Sequence, residues 1–146
     1  MIVNIKKLNE NAVIPTRGSE YAAGYDLYAL IARGAIDIPA GKTAKIGTGI
    51  SIEIPNGYRG DVFARSGVAT NRGLRPANCV GVIDSDYRGE IIVALHNDSD
   101  VCQTIHTGDR IAQISITPYL TVDFHEVEEL QDTGRGDGGF GSSGLN

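Results

Sequence analysis

The amino-acid sequence predicts an all-β domain, and three features of the sequence lead to this prediction. The i, i+3, i+4, i+7 spacing of apolar residues that an amphipathic helix needs never persists for more than two turns. Short β-rich runs recur instead, separated by Gly, Pro, Asn and Asp. Glycine supplies 19 of the 146 residues, nearly twice the usual share of about 7%, which indicates many tight turns. Such spacing is typical of β-sandwiches, jelly rolls and barrels.

The predicted strands follow one another along the chain with turn residues between them. They cover residues 2–6, 25–29, 43–54, 60–64, 78–83, 90–96, 109–117 and 122–127. Turn signals at residues 39–41 (PAG), 55–57 (PNG) and 97–100 (NDSD) separate several of them. One helical turn is expected, at residues 67–71.

The chain changes character near its C-terminus. Residues 131–146 read QDTGRGDGGFGSSGLN, with six glycines, and this composition alone predicts a disordered end. Phe140, however, stands alone among glycines, and Arg135, Ser142 and Ser143 supply anion-binding groups around it. That combination indicates a segment that orders over a nucleotide. We therefore divide the chain into a β-domain at residues 1–130 and a flexible arm at residues 131–146.

Composition and charge argue against several functions. The 13 basic and 18 acidic side chains give a formal net charge of −5; since no basic cluster offsets this, stable binding to nucleic acid is not expected. No apolar run approaches the roughly 18 residues of a membrane span. Cys79 and Cys102 are too few for a disulfide framework and lack the C-x-x-C spacing. The sequence therefore predicts an intracellular, cytoplasmic protein without membrane or nucleic-acid partners.

The densest polar block lies between two apolar runs, at residues 78–90 (NCVGVIDSDYRGE). It predicts a β-hairpin whose tip runs from Asp84 to Gly89. Turn chemistry alone explains Asp, Ser and Gly at such a tip, but Tyr87 shares it. A carboxylate beside an aromatic ring can activate water as a general base, whereas Asp84 and Asp86 together could bind Mg²⁺ directly. Spacing does not separate these two roles.

Three further positions combine polar groups with strand patterns. Arg65, Ser66 and Gly67 end a strand and open the helical turn, where a guanidinium, a hydroxyl and backbone N–H groups suit a phosphate. An ordinary strand exit is the alternative. Asp26 lies in an alternating strand, where a solvent-facing carboxylate is the simpler interpretation. Gln113 lies inside an apolar strand and needs a partner, whether core, ligand or water.

Taken in order, these blocks resemble the five sequence motifs of the trimeric dUTPase family, the deoxyuridine triphosphate nucleotidohydrolases. AAGYDLYA at residues 22–29 is similar to the first motif, RSG at 65–67 to the second and GVIDSDYRG at 81–89 to the third. GDRIAQI at 108–114 is similar to the fourth, and RGDGGFGSSG at 135–144 to the fifth. The departures are small: Ala64 stands where the family often has Pro, and Val68 where it often has Leu.

The resemblance implies a fold, an assembly and a reaction. The fold is a distorted, jelly-roll-like β-barrel, assembled as a homotrimer with three sites at the subunit interfaces. The reaction is a Mg²⁺-dependent hydrolysis, in which water attacks the α-phosphorus of dUTP to give dUMP and pyrophosphate. Such an enzyme limits uracil incorporation into DNA and supplies dUMP for thymidylate synthesis.

The resemblance also implies roles for the residues that meet the phosphates and the water. Asp84 would deprotonate the attacking water, and Gln113 would help to hold it. Arg65, Ser66 and Gly67 would grip the α- and β-phosphates. Asp26 would hold a water of the Mg²⁺, which the triphosphate itself binds.

Further implied roles concern the base, the sugar and the arm. Asn78 and the backbone of Gly81, Val82, Ile83 and Asp84 would read the uracil edge. Tyr87 would lie under the deoxyribose and leave no room for a 2′-hydroxyl. Arg135, Phe140, Gly141, Ser142 and Ser143 would close over the base and the γ-phosphate, in a neighbouring subunit's site.

Two other functions stay open. A dCTP deaminase-type enzyme has a similar scaffold, but its chemistry requires a glutamate beside the base, and Glu90 is the only acid near the hairpin besides Asp84 and Asp86. A nucleotide-responsive regulatory protein would bind nucleotide even without the Asp84 carboxylate.

Overall fold

The computed structural model describes residues 1–139, and nearly all of its regular structure is β. The elements are β1 (Asn4–Lys7), β2 (Thr16–Arg17), β3 (Tyr25–Tyr28), β4 (Ala35–Ile38), β5 (Thr43–Gly47), β6 (Ile50–Glu53), β7 (Tyr58–Phe63), α1 (Ser66–Arg72), β8 (Leu74–Pro76), β9 (Gly81–Ile83), β10 (Ile92–Asn97), β11 (Gln103–His106) and β12 (Arg110–Pro118). The all-β prediction is confirmed, and so is the helix at the predicted turn. No helix in the described part of the chain is long and apolar enough to cross a membrane.

The strands pair antiparallel in four small sheets. The orders are β1-β6, β5-β10-β8, β11-β4 and β2-β3-β12-β7-β9. The five-stranded sheet carries most of the candidate site residues.

The core between the sheets is aliphatic and rich in isoleucine. In β10, alternate residues point inward, so Val93 and Leu95 are buried while Ile92 is exposed. β-Branched side chains pack well on a pleated surface, which suits a core of this kind. The largest fully buried apolar side chains are Leu27, Ile38, Ile46, Ile50, Ile54, Leu74, Ile91, Leu95, Ile105 and Ile111.

The strand predicted at residues 43–54 is two strands, because the chain turns between β5 and β6. Gly49 has a φ of 69°, a conformation that glycine adopts without steric cost. A Cβ at Gly49 would also lie 2.9 Å from that of Ala12. The turn is fixed by Thr48, whose hydroxyl donates to the carbonyl oxygen of Ile91 at 2.6 Å.

The strand predicted at residues 122–127 is wrong. From Tyr119 to Glu126 the chain has no strand assignment, and its apolar side chains face solvent: Phe124 is 97% exposed and Leu120 is 88% exposed. The alternating pattern is that of a strand with one buried face. Within residues 1–139, however, no sheet edge pairs with this segment.

Candidate active site

The five-stranded sheet carries three of the sequence-predicted segments on its strands, and a fourth follows directly after one of them. β3 carries Asp26 and β12 carries Gln113, and these two residues lie directly opposite each other. On its other side Gln113 lies opposite Phe63 of β7, the strand that leads into Arg65 and α1. β9, the first strand of the predicted hairpin, pairs with the far edge of β7.

Asp26 is a buried carboxylate at the centre of an ionic cluster with two arginines. Its side-chain Oδ1 accepts a hydrogen bond from Arg65 Nε at 2.7 Å, and its Oδ2 accepts one from Arg110 Nη1 at 3.2 Å. The side chain of Asp26 is only 10% exposed, against 26% for Arg65 and 50% for Arg110. The solvent-facing interpretation of Asp26 is therefore wrong. The arginine–aspartate cluster (Asp26, Arg65, Arg110) carries a net positive charge that can attract an anion.

Arg110 is the member of this cluster that sequence reasoning missed. In a regular strand, residues 110 and 113 would point to opposite faces, because side chains alternate. A register shift between Arg110 and Ala112 places Arg110 opposite Tyr28 and Gln113 opposite Asp26, so both face the same side. A β-bulge of this kind re-aims side chains, and strict alternation in the sequence gives no sign of it.

The side chain of Gln113 is hydrogen-bonded to the backbone just beyond the end of β7. Its Nε2 donates to the carbonyl oxygen of Ala64 at 2.9 Å, and its Oε1 lies over Gly24, where a Cβ would collide with it. The amide is therefore held at the point where the first, second and fourth motif segments meet.

The strand-to-helix junction leaves backbone donors without a side-chain cap. Arg65 occupies the N-cap position of α1 in an extended conformation, and the first turn contains no acidic residue and no capping side-chain bond. Helix N-termini favour anions, because their first N–H groups lack partners in the helix. Apart from its chain neighbours and the backbone of the helix, the nearest atom to a Cβ on Gly67 would be Asn71 Nδ2, at 3.9 Å. Packing within the described chain therefore does not require glycine there.

The helix ends at a left-handed glycine. Gly73 has a left-handed φ of 64°, and its N–H donates to Ala69 O at 3.1 Å. Arg72 lies in the last turn, where a cation is favourable.

The β-hairpin predicted at residues 78–90 is wrong, because β9 pairs with β7 whereas β10 pairs with β5 and β8. Its predicted tip, residues 84–89, is a hydrogen-bonded turn that follows β9. Tyr87 Oη donates to the carbonyl oxygen of Glu90 at 3.0 Å, and Arg88 Nη1 donates to the carbonyl oxygens of Ser85 at 2.7 Å and Tyr87 at 3.0 Å. The buried hydroxyl of Ser51 donates to the carbonyl of Arg88 at 2.7 Å. The Ser51 bond joins the tip to β6, and the other bonds stabilise the tip itself.

Asp84 is exposed on this tip, between two depressions. On one side lies a groove of about 140 Å³, lined by Val82, Ile83, Asp84, Tyr87, Glu90 and Ile92. On the other lies a wider depression of about 660 Å³, which Asp84 and Asp86 share with Arg88. Among residues 1–139 no three His, Cys, Asp or Glu side chains group so as to hold a metal ion. Asp84 and Asp86, being only two carboxylates, do not make such a group.

Glu90 is occupied elsewhere. Its Oε1 accepts a hydrogen bond from the backbone N–H of Gly49 at 2.7 Å. A Cβ on Gly47 would lie 2.5 Å from the same oxygen. The Glu90 carboxylate therefore holds the end of the segment 84–90 against the turn between β5 and β6.

Asn78 lies in a tight turn between β8 and β9, next to a charged pair. The backbone N–H of Val80 donates to the carbonyl oxygen of Asn78 at 2.7 Å, and the intervening Cys79 has a φ of 63°. Beside this turn, the hydrogen bond and the charge of Asp98 raise the pKa of Arg75 above its ordinary value.

Within one chain the two groups of candidate residues lie apart. Ile83 pairs with Gly60, whereas Phe63 pairs with Gln113. Asp84 is therefore four residues along the sheet from the row of Gln113, about 13 Å at the rise of a strand. A single water cannot be held by both side chains of the same chain.

Part of the predicted arm is described. Arg135 lies in an exposed turn, and its Nε donates to the carbonyl oxygen of Gly138 at 2.8 Å. The predicted site residues Phe140, Gly141, Ser142 and Ser143 lie outside the described residues.

Comparison with known proteins gives one consistent result. A family model described as dUTPase matches residues 10–144. A deoxyuridine 5'-triphosphate nucleotidohydrolase of Nautilia profundicola is 46% identical over 144 residues, 99% of each chain. The dUTPase of Staphylococcus bacteriophage 80alpha, solved with dUPNHPP, has a TM-score of 0.88 at 30% identity and covers 99% of each chain. A mutant dUTPase from phage phi11 of S. aureus, solved to show the coordination of a structural Mg(II) ion, has a TM-score of 0.78 at 27% identity, covering 88% of this chain and 98% of its own.

Proposed function

This chain belongs to the dUTPase family, and on that premise we propose that it hydrolyses dUTP to dUMP and pyrophosphate. The observation that carries the proposal is the placement of three motif segments on strands of one sheet and of a fourth at the strand-to-helix junction after β7. There the arginine–aspartate cluster lies beside an uncapped helix N-terminus. In a cell this activity limits the uracil that enters DNA and supplies dUMP for thymidylate synthesis.

The chemical step is an in-line displacement at the α-phosphorus. Asp84 accepts a proton from water, the water oxygen bonds to the α-phosphorus, and the bond to the bridging oxygen of the β-phosphate breaks. Pyrophosphate then leaves with the bonding electron pair. Phosphoryl transfer of this kind depends on positioning and charge stabilisation rather than on a covalent nucleophile. The exposed carboxylate of Asp84 beside the Tyr87 groove suits such a base.

The complete site requires more than one chain. Asp84 and Gln113 help to hold the same water, yet they lie about 13 Å apart along the sheet of one chain. A second copy of the chain can bring its own Asp84 close to Gln113 of the first. We therefore infer a homotrimer with three equivalent sites at its interfaces, as closed cyclic symmetry allows.

The phosphates bind at the strand-to-helix junction. Arg65, with the hydroxyl of Ser66 and the N–H groups of the first helical turn, faces the α- and β-phosphates, where a helix N-terminus favours negative charge. Gly67 lets the phosphate approach the backbone, since its Cβ position is open within the described chain.

The described residues fit Mg²⁺ only through water. Each oxygen of Asp26 already accepts one guanidinium hydrogen bond, and two neighbouring cations disfavour direct ligation of a third. Each oxygen keeps a second lone pair, which can accept from a metal-bound water. When Mg²⁺ is bound, mainly by the triphosphate, it supplies charge neutralisation.

Residues 78–87 select the base and the sugar. Asn78 and the backbone from Gly81 through Val82 and Ile83 to Asp84 hydrogen-bond the uracil edge, and a cytosine there would leave polar groups unpaired. Tyr87 lies against the deoxyribose and excludes a 2′-hydroxyl. Its ring is held by the bond from its hydroxyl to Glu90.

Residues 131–146 form an arm that closes over the bound nucleotide. Arg135 pairs with the γ-phosphate and Phe140 stacks on the base, while Gly141, Ser142 and Ser143 close over the nucleotide beside them. The arm acts on a neighbouring subunit's site.

A dCTP deaminase-type function is not favoured, because Glu90 is bound to the N–H of Gly49. A pyrophosphate-release assay on dUTP, dTTP, dCTP and UTP, with and without Mg²⁺, tests the proposal directly. Release from dUTP alone supports it. Ammonia from dCTP, or nucleotide binding without any turnover, would support the deaminase or the regulatory protein instead.

A further inference from the structure

The turn before β9 contains the one non-glycine residue with positive φ in the described chain, Cys79 at 63°. The N–H of Val80 donates to Asn78 O at 2.7 Å across it, which is the hydrogen bond of a γ-turn. Side-chain-bearing residues rarely adopt this conformation, and they keep it only where their surroundings impose it.

The side chain of Arg75 lies against this turn. Its Nη1 lies 3.3 Å from the carbonyl oxygen of Pro76, 3.5 Å from that of Ala77 and 3.9 Å from Cys79 Sγ. One planar guanidinium therefore contacts Pro76 and Ala77, which lead into the turn, and the strained residue Cys79 itself.

Asp98 fixes the guanidinium in place. Its two carboxylate oxygens accept from Arg75 Nε at 2.7 Å and Nη2 at 3.1 Å, a two-point geometry that holds the plane of the guanidinium. The backbone N–H of Asp98 donates to Gly73 O at 2.8 Å. The preceding Asn97 is fully buried and donates to the carbonyl of Ile38 at 2.8 Å, so the anchor is tied to the core.

The conformation of this turn determines the position of the Asn78 side chain. The Asn78 side chain folds over the start of β9, where a Cβ on Gly81 would lie 3.5 Å from Asn78 Nδ2. A change in the backbone at Cys79 would move this amide relative to the N–H groups of β9.

We propose that Arg75, anchored by Asp98, is a positioning residue that holds the strained Cys79 turn and thereby aims Asn78 at the base. The inference rests on the proposed function for the identity of that base. Within the described chain, the side-chain hydrogen bonds of Arg75 reach only Asp98 and residues 76–79, so its effect falls on base binding and base selection.

The test compares Arg75→Met, Cys79→Gly and the double variant. Arg75→Met keeps the apolar stem and removes every donor, so KM for dUTP rises about tenfold and the preference for dUTP over dCTP falls, while kcat changes less than KM. Glycine adopts positive φ freely, so Cys79→Gly in the Arg75→Met background restores KM and preference. Failure of this rescue would show that Arg75 does not act through the turn.

Arg72→Met is the matched control. Arg72 also donates two hydrogen bonds, to Gln103 Oε1 at 3.1 Å and Thr104 O at 2.6 Å, but none to the turn. This variant should retain the wild-type KM and base preference. An equal loss in both variants would mean that Arg75 is merely structural.

Amide hydrogen exchange without nucleotide separates this inference from the proposed function. Arg75→Met should speed exchange at Cys79 and Val80 about tenfold, and the double variant should reverse the change. Unchanged exchange would overturn the inference even if dUTP is the substrate. If the wild type releases no pyrophosphate from dUTP, the proposed function fails, while exchange still reports whether Arg75 holds the turn.

Discussion

At the residue scale, the carboxylates of the molecule are distinguished by their partners. Asp26 is buried between two arginines, and Glu90 accepts from a backbone N–H. The side chain of Asp84 is exposed and makes no hydrogen bond within residues 1–139. A carboxylate without a fixed partner can accept a proton from water, whereas the carboxylates of Asp26 and Glu90 are held in place by their hydrogen bonds.

Asp84→Asn should therefore abolish turnover without abolishing binding. The amide keeps the shape but cannot accept the proton, so kcat should fall by roughly 10²–10⁴ while dUTP still binds. Single-turnover kinetics and calorimetric titration measure the two quantities. Asp86→Asn is the matched control and should retain activity; an equal loss in both would favour a metal-binding pair instead.

Tyr87→Ala should weaken sugar discrimination. Removing the ring opens space for a 2′-hydroxyl, so kcat/KM for UTP should improve relative to that for dUTP. Tyr87→Phe loses only the hydrogen bond to Glu90 O and should keep most of the discrimination. If the ratio of the two kcat/KM values is the same in Tyr87→Ala and the wild type, the ring does not select the sugar.

At the element scale, the sequence predicted segments better than their joints. Residues 43–54 show one continuous run without Pro, Asn or Asp, and only the positive φ at Gly49 shows the turn. The short strands β2, β4, β8 and β11 were missed, since pieces of two to four residues are too short for a period-2 pattern.

The candidate site shows the same division. The motif residues were found because they recur in a family order, and the side chain that completes their cluster, Arg110, was not assigned a role. Its position depends on a register shift in β12, and tertiary pairing of this kind cannot be read from alternation. The burial of Asp26 likewise depends on two arginines distant in sequence.

Helix α1 allows stability and function to be separated at one glycine. Gly67→Ala meets no atom nearer than 3.9 Å and improves helix propensity, so the free energy of unfolding should stay constant or rise by up to about 1 kcal/mol. The added methyl should nevertheless raise KM for dUTP about tenfold, because it blocks the close approach of phosphate. Thermal melting and steady-state kinetics give the two results.

Gly18→Ala is the matched control, since Gly18 also has open space at its Cβ position. It should leave KM unchanged. Normal KM in Gly67→Ala would place the phosphates elsewhere.

At the scale of the whole molecule, the separation of Asp84 from Gln113 leads us to expect active sites that are shared between two chains. The arm adds a second requirement of the same kind. Residues 134–139, the described part of the segment 134–146, contribute nothing to the buried core. A chain without residues 134–146 should therefore fold and assemble like the wild type, as melting and sedimentation would show, but should lose most turnover.

Mixed assemblies then test whether base and arm come from different chains. Truncated chains carry a working Asp84 but no arm, and Asp84→Asn chains carry an arm but no base. If the arm crosses to a neighbouring subunit, random mixing gives a competent combination at roughly a quarter of the sites, and activity appears that neither parent has. Subunit exchange must be confirmed first, for example by native mass spectrometry of the mixture. With exchange confirmed, a mixture as inactive as its parents would mean that the arm serves its own subunit or none, because every mixed site would then lack either the base or the arm.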